Sequence, residues 1–187
     1  MQKIMDCLRE YPVIAAVGDD KWEAALKCPA KVIFYMSANL LTIGQRVRQA
    51  HEAKKYIMIH LDLAEGIGRD RTGIRFLAGC GVDGILSTRG QLIRMAREQQ
   101  LFTVQRFFAV DSNGAESIGE LMRGANPHIL EIMPGVVTKV IRRYSEGGVP
   151  VIAGGLIQTE QEAKEALAAG AKAVSTGQPE LWGFRNV

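Results

Sequence analysis

Eight short apolar runs alternate along the chain with segments of helical period, and this alternation constrains the fold more than any other feature. The runs lie at 13–17, 32–36, 57–61, 84–87, 102–107, 129–133, 149–153 and 173–176. The helix-period segments between them lie at 22–27, 40–54, 70–78, 91–99, 115–123, 136–145 and 160–169. Val151 and Ile152, between Pro150 and Gly154-Gly155, make the short apolar run of a strand covered on both faces. Strand and helix in strict succession predict right-handed βα units. Eight such units close into a parallel barrel, so the expected class is α/β, a compact TIM-like (β/α)8 barrel. At 187 residues it is shorter than the ~250 usual for that fold, which leaves room only for short loops. An open doubly wound sheet is the structural alternative. It fits less well, because no G-x-G-x-x-G follows the first strand and the glycine-rich strand ends come last. No linker or low-complexity tract interrupts residues 1–187, and a single domain is expected.

The segment 149–177, VPVIAGGLIQTEQEAKEALAAGAKAVSTG, carries the clearest functional signal. Val151 and Ile152 belong to a buried strand that ends in Gly154-Gly155. Thr159 and Glu162 then form a capping box that starts a helix, and Gly170 ends it in a left-handed conformation. The last strand ends in Ser175-Thr176-Gly177. The paired glycines allow close backbone approach, and the second end offers hydroxyls and N–H groups. Phosphate sites of (β/α)8 barrels are commonly built from the loops after the seventh and eighth strands. Gly154, Gly155, Ser175, Thr176 and Gly177 are therefore the predicted oxyanion cup. Tight turns that simply need small residues are the plain alternative.

Period-two alternation assigns the other polar candidates. In the third strand Ile57, Ile59 and Leu61 should face the helices, leaving His60 and Asp62 directed inward near the strand end. In the sixth strand Leu130 and Ile132 should face the helices and Glu131 the interior. A lone buried carboxylate there is costly without a partner. Arg89, after the fourth strand, and Arg106, near the end of the fifth, are candidate partners. His60, Asp62, Glu65 and Glu131 read either as a ligand site with acid–base capacity or as a hydrogen-bonded network in the barrel mouth. Asp62 and Glu131 could offer oxygens to a divalent ion, but a third firm ligand is missing, and no metal site is assigned.

Composition narrows the remaining options. Cys7, Cys28 and Cys80 are widely spaced and have no metal-ligand pattern, so reduced structural thiols are expected. No apolar run approaches the ~20 residues of a membrane span, and no signal-peptide pattern opens the chain, so cytoplasmic location without a membrane partner is expected. The net charge is +3, and basic residues gather on helical segments: Arg46 and Arg48, then Lys54-Lys55; Arg69, Arg71 and Arg75; Arg94 and Arg97; Lys139, Arg142 and Arg143. Each cluster alone reads as a solvated helix face, and together they keep an RNA-binding surface open. A homodimer would double that surface. Gly18-Asp19-Asp20 is expected to cap the helix that contains Trp22. Nucleophile elbow, Walker A, zincin and CxxC patterns do not occur.

Several blocks, in one order, resemble the glycerol-3-phosphate responsive antiterminator family. They are HLDLAEGIG at 60–68, GILSTR at 84–89, VQRFFAVDS at 104–112, LEIMPGV at 130–136, PVIAGGLIQT at 150–159, AVSTG at 173–177 and the later Leu181-Trp182. The resemblance implies a barrel regulator without a catalytic cofactor. Its effector would be glycerol 3-phosphate and its target the leader mRNA of glycerol-utilisation genes, where it would control transcription termination. On that reading the phosphate falls to Gly154, Gly155, Ser175, Thr176 and Gly177. The glycerol end, or the network that supports it, falls to His60, Asp62, Arg89, Arg106 and Glu131. Members of the family often carry a second serine where this chain has Gly177. The residues by themselves leave an alternative: a small barrel lyase, isomerase or phosphodiester hydrolase acting on a phosphorylated glycerol or triose.

Overall fold

The computed structural model describes residues 2–109, 124–148 and 150–185. Helix α1 (Gln2–Glu10) precedes strand β1 (Val13–Val17), and a 3-10 turn (Asp19–Lys21) leads into α2 (Trp22–Lys27). Then follow β2 (Val32–Tyr35), α3 (Ile43–Glu52), β3 (Tyr56–His60), a second 3-10 turn (Leu61–Leu63), α4 (Arg71–Gly79), β4 (Gly84–Ser87) and α5 (Gly90–Glu98). The chain continues through β5 (Phe102–Phe108), β6 (Ile129–Met133), α6 (Thr138–Glu146), β7 (Val151–Gly154), α7 (Glu160–Ala168) and β8 (Ala173–Thr176), and ends on a 3-10 turn, Pro179–Leu181. Every strand pairs in parallel with its successor, and β8 pairs with β1, so the barrel is closed. The helix expected at 115–123 lies outside the described residues. Among the described residues no helix is long and apolar enough to cross a membrane, and the three cysteines are free.

Alternation along the strands separates two apolar layers. Ile33, Ile57, Ile59, Ile85, Leu130, Ile132, Val151 and Val174 pack outward against the helices. Ile14, Val32, Phe34, Met58, Leu86, Val104, Ile129 and Ile152 fill the interior. Helix α1, which the sequence reading did not assign, joins the interior layer. Its Ile4 and Leu8 are buried in the same cluster as Val32, Phe102, Ile129 and Ala173, which begin their strands or lie near their starts. The helix thus closes the N-terminal end of the barrel and leaves the C-terminal end for ligands. The capping box of α7 forms as expected, with the Glu162 N–H donating to Thr159 Oγ1 at 3.2 Å and the Thr159 N–H donating to Glu162 Oε2 at 2.9 Å. Gly170 follows in the left-handed region, at φ +105°.

Gly18-Asp19-Asp20 does not cap α2. The N-cap of α2 is Lys21, and Asp19 instead accepts hydrogen bonds from the Tyr35 hydroxyl at 2.6 Å and Arg46 at 2.7 Å. Burial, reinforced by the hydrogen bond to Asp19, pushes the Tyr35 phenol up to about 12. The loop after β1 is therefore fastened to β2 and α3.

At the opposite end, His128 accepts the Thr103 N–H on Nδ1 at 3.0 Å, and its ring stacks on Phe102. Burial, with help from Arg97, lowers its pKa from 6.5 to about 4. The unfolded chain takes up a proton between those two values while the folded chain stays neutral, so acidification favours unfolding. We expect the urea midpoint to fall as pH drops from about 6.5 towards about 4, and the decline to flatten in His128→Gln.

Candidate functional site

Four polar side chains replace the apolar interior one step nearer the C-terminal mouth. His60 follows Met58, Arg106 follows Val104, Glu131 follows Ile129 and Ser175 follows Ala173, each two residues on and therefore on the same inner face. All four are buried, and Glu131 is fully so. Arg106 and Glu131 are register partners on β5 and β6, and Arg106 Nε donates to Glu131 Oε2 at 2.6 Å. Ser175 Oγ on β8 donates to Glu131 Oε1 at 2.5 Å, past β7, which lies between the two strands. Both carboxylate oxygens thus have a donor, which answers the desolvation of the charge. His60 lies in the same layer. Burial and then the Arg106 charge lower its pKa, so the imidazole is neutral at pH 7, and its buried Nδ1 has no hydrogen-bond partner among the described residues.

Above this layer opens a cavity of about 220 Å³. Ala16, Met36, Arg106 and Met133 form part of its wall, and the rest comes from residues 155–158 after β7 and 175–178 at the end of β8. Gly155 and Leu156 are both left-handed, at φ +74° and +60°. For Leu156, 62% exposed, that is an unusual backbone state. Among the described residues the N–H groups of Gly155, Leu156, Ile157 and Gly177 have no hydrogen-bond acceptor, so two loops present unused donors around the cavity. Thr176 ties the two loops together, because its hydroxyl donates to the Ile157 carbonyl at 2.7 Å and accepts the Gln178 N–H at 3.1 Å. Trp182 Nε1 donates to the Thr176 carbonyl.

Gly154 does a different task from the one expected of it. A Cβ at that position would collide with Glu131 Oε1 and stand 2.6 Å from Ser175 Oγ. The missing side chain makes room for the carboxylate–serine hydrogen bond, and Gly154 does not line the cavity. Gly155, whose added Cβ would stand 2.6 Å from Met133 Cε, does line it.

Asp62 and Arg89 depart from the expected geometry. The strand period stops at His60, and the 3-10 turn that follows swings Asp62 over the end of β4. There its carboxylate accepts from the Ser87 hydroxyl at 3.0 Å and from the Thr88 N–H at 2.7 Å. Arg89 pairs with Asp62 at 3.5 Å and is 61% exposed, so of the two candidate arginines it is Arg106 that partners Glu131. Asp62 and Glu131 each have their own donors and do not form a shared cation site. Among the described residues no three His, Cys, Asp or Glu side chains gather to hold a metal. Glu65 accepts from Asn39 and lines a second cavity of about 560 Å³, which shares Met36 with the first.

The sequence reading missed Lys21, whose Nζ donates to the Gly177 carbonyl at 2.7 Å, and the methionine walls Met36 and Met133. Lys21 comes from the first βα connection, about 150 residues from the cup. No local pattern marks it, and only the closing of β8 on β1 brings it there.

The family described as glycerol-3-phosphate responsive antiterminator matches residues 13–182. An uncharacterised protein of Escherichia coli (strain K12), YgcP, is 36% identical over 182 residues, 96% of this chain and 95% of that one. A solved structure of a glycerol uptake operon antiterminator regulatory protein from Listeria monocytogenes superposes with a TM-score of 0.85 at 30% identity, covering 91% of this chain and 94% of the other. An antiterminator-related protein from Thermotoga maritima gives 0.83 at 30%, covering 92% and 98%. A deoxyribose phosphate aldolase from Aeropyrum pernix, 11% identical with a TM-score of 0.67 over 96% and 90%, shares the fold alone.

The two glycines make a paired test of this geometry. Gly154→Ala should cost about 1–3 kcal/mol in chemical denaturation, because Glu131 or Ser175 must move. Gly177→Ala, whose Cβ meets only the Ala16 carbonyl at 3.4 Å, should change stability by less than ~0.5 kcal/mol.

Proposed function

Since the chain belongs to the glycerol-3-phosphate responsive antiterminator family, we propose that it binds glycerol 3-phosphate in the barrel mouth and, so loaded, binds leader mRNA to regulate termination. The unused N–H groups around the cavity carry this reading. Gly155, Leu156, Ile157 and Gly177 suit the phosphate oxygens. Arg106 and Ser175, which line the cavity, suit the hydroxyls below, and Glu131 and neutral His60 belong to the layer that supports them.

The same site used as an enzyme would need Glu131 or His60 to move a proton. Glu131 accepts from Arg106 on one oxygen and from Ser175 on the other, an arrangement that suits a fixed hydrogen-bonding role. Binding, with regulation as its output, is the better supported use.

For the RNA, α6 is the best supported of the basic helices. Its Lys139, Arg142 and Arg143 are exposed and form no ion pair among the described residues. In contrast, Arg46 pairs with Asp19, Arg71 with Glu98, and Arg94 and Arg97 donate to the Gly124 and Asn126 carbonyls. The effector acts through its difference in affinity between RNA-competent and incompetent loop arrangements.

Calorimetric titration should show binding of glycerol 3-phosphate but much weaker binding of glycerol or inorganic phosphate, and Gly155→Val should abolish it. In a gel-shift series, leader RNA should bind more tightly with the ester present and less tightly as salt rises, and a Lys139/Arg142/Arg143→Ala triple variant should flatten that salt dependence. Equal RNA affinity with and without the ester would refute the gating.

A further inference from the structure

The charge balance of the cavity leaves one requirement unmet. A phosphate monoester carries about −1.5 to −2 charge at pH 7. The cation lining the cavity is Arg106, and its charge is already matched by fully buried Glu131 at 2.6 Å. The wall therefore offers N–H dipoles around a locally neutral pair, and a further cation beside the wall decides whether a dianion is favoured over a neutral polyol.

That cation is Lys21. Its Nζ stands 2.7 Å from the carbonyl of Gly177, a residue of the cavity wall. An ammonium has three N–H donors, and Gly177 takes one. No carboxylate pairs with Lys21 among the described residues, so its charge is uncompensated. Its position is also prepared in advance. The turn Asp19–Lys21 is braced by the Tyr35 and Arg46 hydrogen bonds to Asp19, and Arg46 in turn lies 5.1 Å over the Trp22 ring. A side chain held before binding loses less freedom when the ligand arrives.

We propose that Lys21 is the charge complement of the bound phosphate and sets the preference of this site for a phosphate monoester over an uncharged polyol. The proposal rests on the effector reading given under Proposed function. It makes the cup a three-loop structure, with the loop after β1 added to those after β7 and β8. It also gives the Lys21–Gly177 contact a role across the seam where the barrel closes.

The test is calorimetric titration of glycerol 3-phosphate and of glycerol into the full chain, at two ionic strengths, for the wild type, Lys21→Met and Lys21→Arg. Lys21→Met keeps the apolar stem and should weaken the ester about tenfold or more. It should leave the weak glycerol affinity unchanged and flatten the salt dependence of ester binding. Lys21→Arg keeps the charge and should stay within about threefold of wild type for the ester. Thermal melts of each variant confirm that the barrel is intact. Ester binding by Lys21→Met equal to wild type would overturn the proposal and leave the effector reading standing. Equal loss of ester and glycerol in Lys21→Met, or a Lys21→Arg variant as weak as Lys21→Met, would reduce Lys21 to a structural tie and also overturn it. A wild type that binds no phosphate ester would overturn both.

Discussion

The buried charge of Glu131 is the constraint around which the rest of the barrel mouth is arranged. A carboxylate without solvent must be held by strong donors or it will take up a proton. Arg106 supplies one donor from the neighbouring strand and Ser175 another from β8, beyond β7. The Ser175 bond requires the space that a side chain at residue 154 would occupy, which makes glycine obligatory there. The same Arg106 charge disfavours a proton on His60. One acidic residue thus accounts for the identity of several neighbours on four strands.

Below this layer the interior is apolar and sealed by α1, so polar binding groups are confined to the opposite end. There the loops are fixed by contacts that leave their N–H groups unused. Thr176 spends its hydroxyl on Ile157, Gly135 donates its N–H to the carbonyls of Gly154 and Gly155, and Lys21 holds the Gly177 carbonyl. In each loop carbonyls are engaged while N–H groups remain without an acceptor among the described residues. Leu156 completes the pattern. Its left-handed backbone, next to left-handed Gly155, is a cost that the surrounding contacts must hold.

Much of this was legible before any coordinates. Strands at 13–17, 84–87, 129–133 and 173–176 fall within the boundaries read from the sequence, because buried parallel strands are runs of Val, Ile, Leu and Ala cut off by Gly, Pro or polar residues. Period-two alternation placed Glu131 inside and left Arg89 and Arg106 as its candidate partners, of which Arg106, its register neighbour, is the one that binds it. The failures mark where alternation stops or where the partner is remote. Asp62 was misdirected because a 3-10 turn begins at Leu61 and breaks the count. Arg89 followed that error, since its partner is Asp62. Helix α1 carries only Ile4 and Leu8 as fully buried residues, too few to announce a helix until a barrel floor exists for them to cover. Lys21 gives no signal at all, because its importance comes from ring closure.

The placement of α6 shows how a small ester could change a large polyanion's affinity without moving the sheet. A closed barrel of eight paired strands resists deformation, so a response belongs to the loops. In the proposed reading the phosphate engages the N–H groups of Gly155 and Leu156, the two left-handed residues. The Gly155 carbonyl accepts the Gly135 N–H at 3.0 Å, and Gly135 lies three residues before α6, the helix that carries Lys139, Arg142 and Arg143. The cup and the basic helix are therefore joined through the Gly135 N–H, which the carbonyls of Gly154 and Gly155 share. In that reading, relaxation of the Gly155–Leu156 backbone would release the Gly155 half of this shared bond and change how α6 is presented, whereas a bound phosphate would hold it. On that reading a rigid sheet with a strained loop beside a basic helix has the parts of a two-state device, on which the ester would act by stabilising one of two loop arrangements.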